Sequence, residues 1–364
     1  MPQHPPAQQL RAPGHPRRGR RGRPAVRPQG ERDHEAVAGQ PGGVRPRGPR
    51  DRPRDRAPAR RAGHDGTSEE PGGRGGEGQG ARRAPLRPMT SLLAGSPAAA
   101  ALDLLAARPL VVLTGAGLST DSGIPDYRGP GSPARTPMTY QEFVSGPAAR
   151  QRYWARSHLG WGRMRLADPN AGHRALARIA PELLITQNVD GLHERAGTPR
   201  LVALHGRIAD VVCLGCRAAS ARAALQERLT ELNPGFAERH AAVAVRPDGD
   251  VELDETGDFV VPGCERCGGI LKPDVVFFGE NVPASRVERC YAAVDALADA
   301  GGVLLVAGSS LTVMSGFRFV RRAAGAGVPV VIVNRGATRG DAHAAYAIDA
   351  GCSEFLEDLA ARRG

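Results

Sequence analysis

Lysine is nearly missing from this chain. A single residue, Lys272, stands against forty-eight arginines in 364 positions. Arginine codons are mostly GC-rich and lysine codons are not, so the bias points to a GC-rich coding sequence. Long apolar runs are missing too. No stretch of 18 apolar residues exists, which excludes a bilayer-spanning helix, and no membrane partner is expected. The start has no charged segment followed by an apolar one, the pattern of a secretion signal. The first 88 residues hold one serine, Ser68, and nine acids, a poor fit to a mitochondrial transit peptide. Six cysteines in a chain this long make no disulfide framework, and a reducing cytoplasm is the expected location.

Residues 1–88 also lack Ile, Phe, Tyr, Trp and Cys, while 15 Pro and 16 Gly disfavour regular structure. Such a segment buries too little apolar surface to offset its ordering entropy. It reads as a disordered basic Arg/Pro/Gly-rich leader, with twenty Arg against nine acids. Residues 89–364 carry 29 basic and 29 acidic side chains, so the whole formal charge of +11 belongs to the leader. No nucleic-acid partner is expected, except through that leader and its attraction for phosphates. Met89 stands just before the apolar pattern begins, and we expect translation to start there. The rival is a real basic arm.

Beyond Met89 the apolar segments run without alternation: Leu110–Thr114, Leu183–Thr186, Leu201–Leu204, Val303–Ala307 and Val328–Val333. Helical stretches lie between them, at Ala98–Ala107, up to about Ile179, at Val287–Ala298 and at Gly316–Ala324. Continuous apolar strands spaced by helices predict a parallel sheet covered on both faces. The expected fold is α/β: a doubly wound, Rossmann-like sheet over 89–204 and 276–364, interrupted by a small zinc-ribbon domain over 205–275.

That insert holds two C-x-x-C pairs, Cys213 with Cys216 and Cys264 with Cys267. Two tight turns supply four thiolates, the tetrahedral set that zinc favours. A full shell leaves no position for a catalytic water, so one structural ion is expected. The gap between the pairs is longer than in a plain ribbon.

Gly115-Ala116-Gly117 follows the first strand, where glycines let backbone N–H groups approach a pyrophosphate. Residue 120 is Thr, and no acid follows about 20 residues on, so a plain dehydrogenase fingerprint fails. The loop continues, long and polar, through Ser119, Ile124, Pro125, Asp126 and Arg128. Gln187-Asn188-Val189-Asp190 follows the second strand; its amides and carboxylate suit a carboxamide and a ribose, or equally a helix cap. His205 ends the third strand, with an unperturbed pKa of about 6.5 that suits a general base.

These blocks together resemble the sirtuins, the NAD-dependent protein lysine deacylases. The resemblance rests on GAGLSTDSGIPDYR (115–128), PNAGH (169–173), TQNVDGLH (186–193), LHG (204–206), the four cysteines, KPDVVFFGE (272–280), GSSLTV (308–313) and Val333-Asn334. RQRYWAR (150–156) and the long cysteine gap look most like the class II branch. The resemblance implies NAD as cofactor, acylated-lysine proteins as substrates, and nicotinamide, 2′-O-acyl-ADP-ribose and free lysine as products. It implies that Gly115, Ala116, Gly117, Ser119, Pro125, Asp126 and Arg128 hold the diphosphate and ribose side of NAD. Ile124, Gln187, Asn188, Val189 and Asp190 would surround the nicotinamide. Gly308, Ser309, Ser310, Asn334, Arg335, Gly336 and Cys352 would meet the adenosine half. His205 would be the base, with Asn188 and Asp190 beside it, and Val275–Glu280 one wall of the peptide cleft.

Tyr153 and Arg156 stand three apart, on one face of a helix. The pair resembles the carboxylate clamp of sirtuins that remove succinyl and malonyl groups, since Arg forks onto carboxylates. The plain alternative is a solvated Arg156 and a packed Tyr153. Two other activities remain open at this stage: protein mono-ADP-ribosyl transfer and NAD sensing without catalysis.

Overall fold

The computed structural model describes residues 95–127, 137–241, 253 and 256–364, all within one compact unit, Arg82–Gly364. The expectations for the leader, for Met89 and for Arg128 lie outside the described residues.

In chain order the main elements are α1 (Pro97–Ala106), β1 (Leu110–Thr114), α2 (Tyr140–Ser145), α3 (Pro147–Leu166), α4 (Ala171–Ile179), β2 (Leu183–Thr186), α5 (Leu192–Arg195) and β3 (Leu201–Ala203). Then come β4 (Gly206–Cys213), β5 (Ala219–Ala221), α6 (Arg222–Leu232), α7 (Phe236–Arg239), β6 (Leu271–Val275), α8 (Ala284–Asp299), β7 (Val303–Ala307), α9 (Met314–Gly325), β8 (Val330–Asn334), β9 (Tyr346–Asp349) and α10 (Cys352–Arg363). Six strands form one sheet in the order β3-β2-β1-β7-β8-β9, every pairing parallel. The chain winds outward from β1 in one direction, then returns to β7 and winds outward in the other. The strand order reverses between β1 and β7, and it is outside the carboxyl ends of such neighbours that α/β sheets form a ligand crevice.

All five residues of β1 are buried. Leu110 and Val112 pack with α1, α4 and α10 through Leu102, Leu105, Leu176 and Leu356. Val111 and Leu113 pack on the opposite face with Val294 of α8 and Phe319 and Val320 of α9. Alternate residues thus face two apolar layers, which is why the strand reads as a continuous apolar run. Each such side chain contributes roughly 1.5–3 kcal/mol when fully buried.

Residues 206–275 carry a second, antiparallel sheet in the order β5-β4-β6. Its core is not confined to the expected insert. Trp154 and Ala155 of α3 pack with Val211, Leu225, Leu229, Phe259 and Leu271, and Trp154 Nε1 donates to the Leu271 carbonyl at 3.2 Å. The small sheet covers only one face by itself, and α3, read from sequence as part of the large domain, supplies the other layer. Truncating Trp154 to alanine is expected to cost about 3–5 kcal/mol.

Candidate active site

The chain closes β1 on Gly115 and β7 on Gly308, and these loops meet. Gly117 N donates to Gly308 O at 2.9 Å, and Gly115 N to Ala307 O at 3.1 Å. Gly308 has φ +66°, and a Cβ there would come within 2.3 Å of Leu118 N. Only glycine permits both that backbone and that approach. The result is a bare backbone cradle, the surface a diphosphate needs.

From the cradle a cavity of about 690 Å³ runs along the sheet edge, within the size range of cofactor and substrate sites. Of the cofactor residues expected above, all that the structure describes line it except Pro125 and Cys352. Cys352 is buried in the core, its Sγ 3.7 Å from the Val333 carbonyl, and burial pushes the thiol up to about 12. Asn334 lines the cavity, but its Nδ2 donates to the carbonyls of Arg335 and Gly336 at 2.9 and 3.0 Å, shaping its own loop.

The loops after β1 and β2 are laced together. Asn188 Nδ2 donates to Gly115 O and to Ser119 Oγ, both at 3.0 Å. Gln187 Nε2 donates to Ser309 Oγ at 2.8 Å. Asp190 accepts from the Leu192 backbone N–H at 2.9 Å, in the turn that leads through Gly191 into α5, and from Ser119 Oγ at 2.8 Å. The helix-cap reading does not hold, since Gly191 is the N-cap of α5 and no side chain caps it. Burial raises the Asp190 pKa, and the hydrogen bonds from Leu192 and Ser119 oppose that.

His205 does not end β3. It occupies the turn between β3 and β4, followed by Gly206 at φ +81°, where a Cβ would come within 1.9 Å of the Asp274 carbonyl. Its Nδ1 lies 2.9 Å from the Gln187 carbonyl and its Nε2 2.8 Å from Ser315 Oγ. Burial holds its pKa below the ordinary value, aided by Arg286 and Arg318; the Gln187 carbonyl opposes this.

A profile of the Sir2 family matches residues 115–315. The chain belongs to the Sir2 family. A protein named NAD-dependent protein deacetylase 1 from Mycobacterium avium is 56% identical over 264 residues, 71% of this chain and 92% of that protein. Its namesake from Streptomyces coelicolor is 54% identical over 270 residues, 72% of this chain and 88% of that protein. Among solved structures, a Sir2–p53 peptide–NAD+ complex superposes with a TM-score of 0.56 at 30% identity, over 75% of this chain and 97% of the other.

The Sir2-family cysteine set is assembled as the spacing predicts. The four Sγ atoms lie within 4.8 Å of one another, with Cys213 and Cys267 at 3.5 Å and Cys216 and Cys264 at 3.7 Å. A tetrahedron with Zn–S of about 2.3 Å has edges of about 3.8 Å, so the thiolates fit zinc. The backbone N–H of Cys216 helps lower the Cys213 thiol to about 6.

Tyr153 and Arg156 both line the cavity. Tyr153 is wedged against Phe143, Trp154 and Phe277, and Arg156 Nε donates to the Leu253 carbonyl at 3.0 Å. Three features went unread in the sequence. One is Ser315. Another is a buried chain in which Thr114 Oγ1 meets Thr186 Oγ1 at 2.9 Å and His193 Nε2 at 3.0 Å, beneath the strand ends. The third is the pairing of Lys272, 3% exposed, whose Nζ lies 2.9 Å from Glu280 Oε2 and 4.7 Å from the Phe277 ring centre. That ion pair clamps the Val275–Glu280 wall onto β6.

Proposed function

We propose that this chain is an NAD-dependent protein lysine deacetylase of the Sir2 family, releasing nicotinamide, 2′-O-acyl-ADP-ribose and free lysine. The observation that carries this reading is the convergence of Asn188, Asp190 and His205 on one cavity that also holds the Gly115–Gly308 cradle. NAD, when bound, supplies an anomeric carbon from which nicotinamide leaves and to which the acyl oxygen is transferred. The chain's residues do the rest. The cradle binds the diphosphate through backbone N–H groups. Asp190 and Asn188 orient the carboxamide side, and Ile124 excludes water from it.

His205 is the general base. A carbonyl only accepts hydrogen bonds, so the Gln187 carbonyl fixes the neutral ring with its proton on Nδ1. Nε2 then takes a proton from a ribose hydroxyl. Zinc, held by Cys213, Cys216, Cys264 and Cys267, serves the fold. The substrate is an acyl-lysine peptide lying along Val275–Glu280 as an added strand, its acyl group against Tyr153 and Arg156. The cytoplasm is the proposed location; no described helix is long and apolar enough to cross a membrane.

Mass spectrometry of the zinc-loaded protein with NAD and an acetyl-lysine peptide tests the reading. Free acyl-ADP-ribose with deacetylated peptide is expected. ADP-ribose retained on protein would instead favour mono-ADP-ribosyl transfer, and NAD binding with no product would favour a sensor.

A further inference from the structure

His205 has a partner that no motif announces. Its Nδ1 hydrogen faces the Gln187 carbonyl at 2.9 Å, so the lone pair of the neutral ring is on Nε2. Ser315 Oγ stands 2.8 Å from that nitrogen and donates to it. Ser315 is the second residue of α9, 9% exposed, and lines the same cavity as His205. The start of α9 is pressed against the loop after β2: a Cβ on Gly316 would come within 2.4 Å of Gln187 Oε1. Gln187 therefore meets His205 through its carbonyl and the helix that carries Ser315 through its side chain.

A hydroxyl donating to the lone pair favours the uncharged ring. The other groups around His205 that bear on its charge are Arg286 of α8 and Arg318 of α9, both of which disfavour imidazolium, and the Gln187 carbonyl, which favours it. Arg286 is itself 3.6 Å from Asp274. Neither arginine fixes the direction of the ring; Ser315 and the Gln187 carbonyl do, one at each nitrogen.

We propose that Ser315 is a positioning residue for His205: its hydroxyl holds the ring neutral and aims the Nε2 lone pair into the cavity until a ribose hydroxyl replaces it. In the step that follows, the ribose O–H bond breaks, an N–H bond forms at Nε2, and Ser315 keeps its own proton. This rests on His205 being the base.

The test is an NMR titration of histidine-labelled, zinc-loaded protein, with the His205 signal assigned by its loss in His205→Gln. Ser315→Ala should raise the His205 midpoint by about 0.7 pH unit, the scale of one neutral hydrogen bond. It should lower kcat for deacetylation by roughly five- to tenfold, again the scale of one hydrogen bond, and leave the KM for NAD nearly unchanged. Ser315→Thr, which restores the hydroxyl, should restore both. An unmoved midpoint in Ser315→Ala, or a folded Ser315→Thr as impaired as the alanine variant, would overturn the role. Near-normal turnover in His205→Gln would overturn the base itself, and with it the catalytic meaning of Ser315, even if the midpoint shifts.

Discussion

Ser119 donates its hydroxyl hydrogen to the buried Asp190 carboxylate over 2.8 Å, and so ties the loop after β1 to the loop after β2. The carboxylate has few other donors. Ser119→Ala should leave it short of one hydrogen bond and weaken NAD binding by about 1–3 kcal/mol, the cost of a buried unsatisfied acceptor. Calorimetric titration with NAD measures this. An unchanged dissociation constant would mean that the loops hold their places without the bond.

The zinc site predicts a structural dependence. Cys213→Ala should release the metal, lower the melting temperature and reduce activity through the fold, because a four-thiolate site contributes folding energy directly. Metal analysis alongside thermal melts is the check. A metal-free protein with full activity and an unchanged melt would contradict it.

Acid should destabilise the protein well above the carboxylate range. Burial lowers His158 and His173 to about 4, and His193 is held well below 6.5. The unfolded chain takes up protons near 6.5, while in the folded chain His158 and His173 refuse them until near 4 and buried His193 also resists protonation. Their contribution is thus complete above about pH 6.5 and is lost as pH falls toward 4, by up to about 1.4 kcal/mol per pH unit for each histidine. Urea midpoints between pH 7 and 5 should show the slope. His173→Gln should flatten it, since glutamine at that position can keep the reciprocal cap with Asn170. A slope identical in both proteins would assign the effect elsewhere.

Arg156 provides the test of acyl choice. If the acyl chain reaches Tyr153 and Arg156, a terminal carboxylate would meet the guanidinium. Arg156→Met is expected to lose succinyl and glutaryl peptides by roughly 2 kcal/mol in kcat/KM, the scale of a charged hydrogen bond, and to spare acetyl. Equal losses across all peptides would reduce Arg156 to its structural bond with Leu253.

Burial on both faces made β1, β2, β7 and β8 legible, because such strands must be apolar at every position. β9 was missed: Tyr346–Asp349 alternates between half-buried and exposed residues at the sheet edge, and its one central side chain, Ile348, gives no run. β4, central in the small sheet, alternates because one of its faces packs on the core and the other does not, and its register with β6 shifts between Gly206 and Val211. The glycines and Gln187–Asp190 could be placed at the sheet edge because they directly follow strands whose ends were already read, whereas His205 lies two residues beyond β3, in the turn to β4. Ser315 could not be placed, because its role depends on how α9 docks against Gln187, and sequence spacing says nothing about docking. The packing of α3 was equally out of reach: Trp154 and Ala155 join the core of the small sheet, and sequence order does not say which core a helix joins.

Lys272 has a consequence outside its own loop. It is the chain's single lysine, and its amine is enclosed by Glu280, the Val275 carbonyl and the Phe277 ring. The other 48 members of the Lys-plus-Arg set are arginine, whose guanidinium stays protonated and forms no acyl-lysine. A catalyst that strips acyl groups from lysines thus offers reactive acyl donors no side-chain amine at its own surface. It presents no exposed lysine that could carry the modification it removes or enter its own cleft.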